Sequence, residues 1–528
     1  MINKKRQFTV LLLLIFASIT IVDYSLVINN PKVINGIKEN EQMIHRELKM
    51  SSLIEYWNIS WDNGADEEGN GIAIEESTGN IYVAGDNGTL GDDVILLKYN
   101  NNGEYLWNVT WDSGRTDYVT DMELDSNGNI YVCGISGDSY GDMDVLLVKF
   151  NSSGGYEWNK TYDRGGLHDT ATALEINDED LIYIVGDTYE PDESILLLQY
   201  NSTGHFQWES VFSGNEMQYS ADLVLDSMNN IYVTGTNASA TASNDLLVIK
   251  FNSSGGHIWN KTWGEYGKTD QGFGIALDSN NSVYATGFTK SYGANDYDVI
   301  VVKYDSNGNW KWNDTWGYST HDEARCIATD SQDNIYVCGY SLYSNVSILQ
   351  YSTSGDLVWS KTWANNSIYQ YFWEDITFDS IDNLYITGRN ITSMAGDYDV
   401  FTAKLSVDFP ARFSLTADCG AIDDDGIFNL NWTLAPRAVN YSIYRYNSYI
   451  SEINGSLTLI VNQTQALSHP FNGYTNGTYY FKGLAFNNFG SSTSNCINVT
   501  VLIPPSEPSE SPGSFNLSSN AGKPDDDG

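Results

Sequence analysis

The stretch Leu124-Asp-Ser-Asn-Gly-Asn-Ile-Tyr-Val-Cys-Gly134 decides the fold, because close variants of it recur through most of the chain. Its Ser-Asn-Gly-Asn centre is typical of a tight turn, and the Ile-Tyr-Val-Cys-Gly end is typical of a β-strand. Seven copies end at Gly85, Gly134, Gly186, Gly235, Gly287, Gly339 and Gly388. A repeat with this spacing in β-rich sequence is typical of the blades of a propeller.

A tryptophan followed four residues later by a second aromatic residue marks the same repeat. These tryptophans are Trp57, Trp107, Trp158, Trp208, Trp259, Trp312 and Trp359. They are either a sugar-stacking surface or wedges between neighbouring blades, and their regular repetition favours the wedge. Residues 117–162 divide into four strand-like stretches joined by short turns, which is the content of one blade. The sequence therefore predicts an all-β chain with a seven-bladed β-propeller over residues 51–408.

The order of strands at the two ends of this region predicts how the ring closes. The region begins with an outer-type strand at 54–62 and ends with a third-type strand at 399–405. The last blade therefore lacks its outer strand, and the first strand is left over. Placing 54–62 on the outer edge of the last blade removes an open seam from the ring.

The unit Leu-Asp-Ser-x-Gly-Asn-Ile-Tyr-Val-x-Gly, followed by Asp-Val-x-x-x-Lys, resembles the seven-bladed propeller repeat family often called SBBP. The resemblance covers residues 51–408. It implies an exported protein and no particular reaction.

A different pattern begins after Pro410. Residues 409–503 contain short alternating strands separated by turns, and they resemble a fibronectin type III-like β-sandwich in which Trp432 is the buried early-strand tryptophan. The Pro, Ser and Glu content that follows is typical of an extended linker. Because 525–528 repeats the Asp-Asp-Asp-Gly of 423–426, residues 504–528 are interpreted as a linker and the truncated start of a second sandwich.

The N-terminus has the pattern of an export signal. Three basic residues at 4–6 precede an apolar run at 8–22, which is shorter than the roughly 20 residues that a membrane-spanning helix needs. Residues 1–25 are therefore predicted to be a signal peptide or N-terminal anchor, and residues 26–50 a linker. Sequons such as those at Asn58 and Asn108 fit a glycoprotein. The expected location is extracellular or at the cell surface, with membrane attachment only through an N-terminal anchor or a region beyond residue 528.

The net charge of -41 indicates which partners to expect. It argues against nucleic acid, whose phosphates require a basic surface. Metal ions and basic protein surfaces remain open. The expected partner is an extracellular protein or glycan.

Aspartates at equivalent positions of the repeat predict a metal site. Before the first strand of a blade the chain carries Glu67 and the aspartates Asp117, Asp169, Asp270 and Asp322, and a second acidic set precedes the third strand. Two acidic circles on one face predict a calcium site at those four aspartates. The alternative, which is favoured, is that each aspartate caps a turn through its own backbone. Asp423 and Asp425 form a second candidate calcium site, for which a turn is again the favoured interpretation. No other cofactor is indicated.

Four of the five cysteines suggest pairs. Cys326 and Cys338 flank a turn symmetrically, so they should face one another across a hairpin. Cys419 and Cys496 lie near the two ends of the C-terminal module. Disulfides Cys326–Cys338 and Cys419–Cys496 are therefore candidates in an exported chain.

Enzyme signals are weak in this sequence. No nucleophile–base constellation rises above the repeat, and the residues that break its symmetry (Arg164, His168, His321, Arg325 and the aromatic run 369–373) do not form a coherent site. We expect a non-enzymatic binding, adhesion or surface-architecture protein. The alternative is an extracellular polysaccharide hydrolase or lyase with its site at the channel mouth. A unique carboxylate pair with perturbed pKa values would favour the enzyme, and a symmetric acidic rim the binder.

Overall fold

The computed structural model describes residues 53–503 apart from short internal stretches. Those stretches are residues 89–92, 138–141, 167, 190–192, 215, 239–243, 293–295, 318–320, 342–344, 364–370, 392–397, 408–413, 420–421, 426, 434–437, 439, 451–452, 454–456 and 487–490. The predicted signal peptide or anchor, the linker at 26–50 and the second sandwich at 504–528 lie outside the described residues. Within the described part of the chain, no helix is long and apolar enough to cross a membrane.

The chain divides into two compact units at Val407. The strands of the first unit are β1 (Leu53–Trp61), β2 (Glu67–Glu75), β3 (Asn80–Asn87), β4 (Asp93–Tyr99), β5 (Tyr105–Trp111), β6 (Thr116–Leu124), β7 (Ile130–Gly137), β8 (Met143–Phe150), β9 (Tyr156–Tyr162), β10 (Asp169–Ile176), β11 (Ile182–Tyr189), β12 (Glu193–Tyr200), β13 (Phe206–Phe212), β14 (Met217–Leu225), β15 (Ile231–Ala238), β16 (Asn244–Phe251), β17 (His257–Trp263), β18 (Asp270–Leu277), β19 (Val283–Thr289), β20 (Asp298–Tyr304), β21 (Trp310–Trp316), β22 (Asp322–Thr329), β23 (Ile335–Ser341), β24 (Asn345–Tyr351), β25 (Leu357–Trp363), β26 (Tyr371–Phe378), β27 (Asn383–Ile391) and β28 (Tyr398–Val407).

These strands form seven four-stranded antiparallel sheets in the part of the unit that the structure describes. Six sheets use consecutive strands, from β2-β3-β4-β5 to β22-β23-β24-β25, and the seventh has the order β1-β28-β27-β26. The chain's first strand is therefore the outer strand of the last sheet, with Leu53 opposite Val407 and Trp61 opposite Val400. The architecture is all-β, with the propeller-like blades that the repeat predicts.

A β-bulge occurs at the same place in every sheet, and it explains the glycine of the Ile-Tyr-Val-x-Gly motif. One extra residue of the first strand interrupts its pairing with the second strand; these residues are Asn70, Thr120, Thr172, Ala221, Phe273, Arg325 and Glu374. The bulge presses a carbonyl of the first strand against the motif glycine. A Cβ added at Gly134 would lie 1.8 Å from the carbonyl oxygen of Tyr118. Only glycine fits at this position.

We expect Gly134→Ala to destabilise the first unit by about 3 kcal/mol, because neither backbone can move without breaking the sheet. Gly137→Ala is the matched control in the same strand β7, since its added Cβ would meet nothing nearer than 3.8 Å. That control should change the free energy of unfolding by less than about 0.5 kcal/mol. Urea unfolding followed by tryptophan fluorescence measures both. Equal stability of the two variants would contradict the bulge explanation.

The repeated tryptophans pack between neighbouring sheets. Trp158 of β9 lies edge-on to the buried Tyr131 of its own sheet, with ring centroids 6.0 Å apart. It also contacts the next sheet, where a Cβ on Gly204 would come within 3.2 Å of its ring. Lys149 Nζ adds a hydrogen bond of 3.1 Å to the Ser202 carbonyl oxygen of that next sheet. The tryptophans are thus wedges between blades, as their repetition predicts.

The second unit contains β29 (Leu415–Ala417), β30 (Ile422–Asp423), β31 (Phe428–Trp432), β32 (Asn440–Tyr446), β33 (Thr458–Thr464), β34 (Ser468–Phe471), β35 (Gly477–Phe486) and β36 (Ser491–Val501). They form a three-stranded sheet, β29-β31-β34, and a five-stranded sheet, β30-β36-β35-β32-β33. Apolar residues of both sheets, including Trp432, Phe428 and Phe481, pack into one core. Two sheets that share a core make this unit all-β as well.

The two predicted disulfides are not formed. Cys326 lies directly opposite Cys338 in the β22–β23 pairing, as expected from the turn between them. Both are thiols, however, and the Cys326 Sγ lies 4.0 Å from the Cys338 carbonyl oxygen, to which it donates. Cys419 and Cys496 are thiols too; Cys496 Sγ accepts from the Ile450 N–H at 3.4 Å. The register prediction for Cys326 and Cys338 was correct, and both bond predictions were wrong for this structure.

Candidate functional site

The first strands of the seven sheets surround a common channel. Residues of β2, β6, β10, β14, β18, β22 and β26 line a cavity of about 440 Å³ within it. A second cavity of about 530 Å³ lies at the end where these strands turn into the second strands. Glu123 borders both cavities. The channel is therefore the concave feature on which chemistry from several blades converges.

Three aspartates in the channel join neighbouring sheets. Asp121, Asp222 and Asp375 each follow the bulge of their strand, and each carboxylate accepts a backbone N–H from the next sheet around the ring. The donors are Leu174 at 2.8 Å, Ile275 at 2.9 Å and Ile72 at 2.9 Å, respectively. The sheets that supply the donors carry Ala173, Gly274 or Gly71 at the equivalent position. Small residues there leave room for the incoming carboxylate. Burial raises the pKa of Asp222 to about 7 and that of Asp375 to about 6.

Two glutamates on neighbouring sheets add a carboxylate pair to the channel wall. Glu123 of β6 and Glu175 of β10 occupy equivalent positions, where the other sheets carry Ala73, Val224, Ala276, Ala328 and Thr377. Burial, with the charges of the channel aspartates, raises the pKa of Glu175 to about 8. Burial and the charge of Glu175 raise the pKa of Glu123 well above its usual value. The pair breaks the symmetry of the repeat, so the repeat does not require it.

A third group of residues surrounds Glu323. It lies close to Phe273 and Arg325, which line the channel. The Glu323 carboxylate is hydrogen-bonded to His321 Nε2 and accepts from the Tyr340 hydroxyl. Arg325 Nη2 lies 3.5 Å from the same carboxylate and donates to the Tyr340 oxygen at 3.3 Å. Burial and the Glu323 hydrogen bond raise the pKa of Tyr340 to about 12, against the opposing charge of Arg325. One carboxylate thus organises a cation, a phenol and an imidazole.

Two arginines of this region are held against aromatic rings. The Arg325 guanidinium lies 4.6 Å from the Phe273 ring centroid. The Arg389 guanidinium lies 4.9 Å from the ring centroids of both Phe372 and Tyr398 and pairs with Glu68. The Nε atoms of both arginines are buried without a hydrogen-bond partner. Stacking fixes the guanidinium planes, which favours directional hydrogen bonding to a ligand.

We call this group the mouth cluster; its residues are Glu68, Phe273, His321, Glu323, Arg325, Tyr340, Phe372, Arg389 and Tyr398. The sequence singled out His321, Arg325 and the run 369–373 as breaks of symmetry that form no coherent site, and three of these residues do lie close together in the structure. The structure brings His321, Arg325 and Phe372 together because Arg325 occupies the bulge of β22. Arg164 belongs elsewhere, since it pairs with Glu209 on the outer strand β13 at 3.3 Å.

The four aspartates predicted as a metal rim are fully buried instead of lying on an exposed face. Asp117 accepts hydrogen bonds of 2.8 Å from both the N–H and the hydroxyl of Ser113. Asp270 accepts from the Ser291 hydroxyl at 2.6 Å and from Thr289, while Asp169 accepts from the Arg164 N–H. These contacts are those of the turn-capping alternative. Calcium at these four aspartates stays a prediction.

Acids of the two predicted sets meet in pairs between adjacent sheets. A Cβ added at Gly317 would lie 2.2 Å from Asp298 Oδ1 and 2.9 Å from Asp322 Oδ2, so both carboxylates converge there. Asp245 and Asp270 converge in the same way on Gly264. Burial and the charge of Asp322 raise the pKa of Asp298 to about 6. The third strand of one sheet and the first strand of the next therefore place their acids at a shared seam.

The second candidate calcium turn lies in the other unit. Asp425 Oδ1 accepts the Ile427 N–H at 2.8 Å, which is a local turn contact. Asp423 is buried, and its carbonyl oxygen accepts the Leu502 N–H at 2.8 Å. Calcium at Asp423 and Asp425 stays a prediction.

Solved structures with related folds are distant in sequence. The extracellular domain assigned to a hybrid two-component system from B. thetaiotaomicron is 14% identical, with a TM-score of 0.39 over 84% of this chain and 57% of that one. A polysaccharide lyase, the PL25 ulvan lyase, is 13% identical, with a TM-score of 0.46 over 66% of this chain and 95% of the lyase. The β-propeller domain of the trilobed protease from Pyrococcus furiosus is 9% identical, with a TM-score of 0.40 over 64% of this chain and 95% of that one. This chain thus spans little more than half of the first of these. No family model and no curated protein matches the sequence.

Proposed function

We propose that the chain is an extracellular or cell-surface binding protein, a seven-bladed propeller of the SBBP type followed by a fibronectin type III-like sandwich, and that its mouth cluster binds a neutral glycan. The observation that carries this proposal is the pair of stacked arginines whose Nε atoms are buried without a hydrogen-bond partner. A sugar offers pairs of hydroxyl oxygens to such donors and an apolar face to aromatic rings.

Charge favours a neutral ligand over a polyanionic one. The mouth cluster adds the carboxylates of Glu68 and Glu323 to its two arginines, and the neighbouring Glu374 is a third. The whole chain carries a net charge of -41, which repels polyanions over a long range. The two arginine side chains are partly accessible, at 34% and 25% of their surface, although their Nε atoms are buried.

The binding test compares two arginine–glutamate pairs. We expect Arg389→Met to weaken binding of a neutral oligosaccharide about tenfold or more, because a charge-assisted hydrogen bond contributes about 1.5–3 kcal/mol. Arg164→Met is the matched control, since Arg164 pairs with Glu209 on an outer strand. A panel of neutral and uronic-acid oligosaccharides with isothermal titration calorimetry measures the effect. Equal loss in both variants, or binding of the acidic sugars alone, would contradict the proposal.

A second candidate function is a polysaccharide hydrolase, and the Glu123–Glu175 pair is the observation that favours it. Hydrolysis of a glycosidic bond requires one protonated and one ionised carboxyl group, and mutual repulsion in a buried pair separates two glutamates in this way. Release of reducing sugar by the wild type, lost in both Glu123→Gln and Glu175→Gln, would support the hydrolase. A binding protein would keep its glycan affinity in both variants and release no sugar.

A further inference from the structure

Three carboxylates meet where the ring closes. Asp62 directly follows the closing strand β1, Asp399 lies in β28, to which β1 pairs, and Glu67 begins β2 of the neighbouring sheet. One oxygen from each of these side chains lies within 4.8 Å of the others. We call this group the closing seam. It joins the first strand, the last sheet and the first complete sheet of the ring.

One oxygen of Glu67 has no hydrogen-bond partner among the residues that the structure describes. The side chain is fully buried. Its Oε1 accepts the Ala65 N–H at 3.1 Å, whereas its Oε2 is buried without a hydrogen-bond partner. Burial raises the pKa of Glu67 to about 7, and the charges of Asp62 and Asp399 contribute to that rise. A buried acceptor without a donor is costly, and a cation at this point would satisfy it.

Two asparagine side chains border the same seam. Asn87 is the cross-strand partner of Glu67, and Asn390 is the cross-strand partner of Asp399. Directly opposed residues of antiparallel strands point to the same side of the sheet. The Oδ1 atoms of both asparagines are buried without a hydrogen-bond partner, while Asn390 Nδ2 donates to Ser60 Oγ of the closing strand at 2.9 Å. The seam thus collects carboxylate and amide oxygens on one side.

At two other seams of the ring the protein itself supplies donors to the equivalent acid, whereas Asp169 and Asp298 at further seams also have a buried oxygen without a hydrogen-bond partner among the described residues. In the next seam, Asp117 receives two donors from Ser113. At the seam of β18, Asp270 receives the hydroxyls of Thr289 and Ser291 and the Ser291 N–H. Those carboxylates are satisfied by the protein, which suits a turn cap. Among the described residues no hydroxyl group donates to Glu67. The oxygens of the closing seam are therefore suited to bind a cation.

We propose that the closing seam binds a calcium ion through Asp62, Glu67 and Asp399, with the amide oxygens of Asn87 and Asn390 as further ligands. Calcium takes six to eight oxygen ligands and tolerates irregular geometry, whereas magnesium requires a compact octahedron and keeps its water. The ion ties the first strand to the last sheet and replaces repulsion among three carboxylates with attraction. It is a structural clamp on the ring, and its ligands are different residues from those of the mouth cluster.

The test is the melting temperature of the whole chain in calcium and in EGTA. Saturating calcium should raise the Tm of the wild-type first unit by roughly 5–10 °C. Glu67→Gln and Asp399→Asn should abolish this rise. In EGTA both variants should melt at or above the wild-type temperature, because each removes repulsion. The Tm in EGTA distinguishes an ion site from a structural cap. Loss of a structural cap would lower the Tm both in calcium and in EGTA.

Asp117→Asn is the matched control, since Asp117 belongs to a neighbouring seam. It should lower the Tm in both buffers by a similar amount and keep the calcium-dependent rise. The proposal is overturned if calcium does not shift the wild-type Tm, or if magnesium gives the same shift at the same concentration. It is also overturned if Glu67→Gln retains the calcium-dependent rise.

Discussion

Deletion of residues 1–61 is expected to lower the Tm of the first unit by about 10 °C or more. The deletion leaves β28 without its outer neighbour over the whole β1 pairing. It also removes Trp57, which packs edge-on to Tyr385 at 6.4 Å and donates its Nε1–H to the Asn101 carbonyl oxygen at 3.2 Å. That tryptophan links the last sheet to the first, so its loss opens the ring at one seam. Scanning calorimetry in EGTA measures the effect without any contribution from calcium.

A shorter deletion and an added peptide are the controls for this experiment. Deletion of residues 1–50 alone should leave the Tm unchanged, because β1 is retained. A synthetic peptide of residues 51–63, added to the longer deletion, should restore part of the lost Tm by re-forming the β1–β28 pairing. If the chain that lacks residues 1–61 has the same Tm as the chain that lacks residues 1–50, the closing strand contributes nothing to the stability of the ring.

The first unit is expected to be markedly more stable at pH 5 than at pH 8. The folded-state pKa values of Asp375, Asp222 and Glu175 are raised to about 6, 7 and 8. A carboxyl group in an unfolded chain titrates near pH 4. Between these values the folded state binds more protons than the unfolded state, so stability falls as the pH rises. The contribution is fully present below about pH 4 and is lost progressively as the pH passes through 6 to 8.

Replacement of the glutamate pair tests the source of this dependence. Glu123→Gln combined with Glu175→Gln should raise the Tm at pH 8 and leave it nearly unchanged at pH 5, so the slope of Tm against pH becomes smaller. Glu104→Gln is the control, because Glu104 lies in an exposed turn of the same unit. Scanning calorimetry at a series of pH values gives the slopes. An identical slope in the double variant and the control would rule out the Glu123–Glu175 pair as its cause.

Much of the fold was predictable because each repeat contains the residues that define its own turns and strands. Turn residues and the Ile-Tyr-Val-x-Gly strand mark each hairpin, and the strand order at the two ends indicated the partner of β1. The bulge was not predictable, because no particular residue type marks the extra residue in the sequence. Its positions carry residues as different as Asn70, Ala221 and Arg325.

The mouth cluster shows why the site was harder to predict than the fold. Arg325 and His321 were visible as departures from the repeat. Their partner Tyr340 comes from the second strand of the same sheet, and Phe372, which contacts Tyr340, comes from the next sheet. Asp121 and Glu123 lie on one face of β6, and only the curvature of the ring turns that face into a channel wall. Proximity between sheets depends on the ring geometry, which a linear pattern does not record.

The three aspartate contacts in the channel join neighbouring sheets into couples. Each joins two neighbouring sheets, and the three of them, made by Asp121, Asp222 and Asp375, divide six sheets into couples. Seven is odd, so one sheet is left as a singleton, and it is the sheet of β22, where Cys326 occupies the aspartate's position. That singleton also supplies His321, Glu323, Arg325 and Tyr340 of the mouth cluster. That sheet is instead joined to the sheet of β18 by the Thr329 hydroxyl, which donates to the Leu277 carbonyl oxygen at 2.8 Å, so the one blade outside the aspartate couples is also the blade that carries most of the mouth cluster.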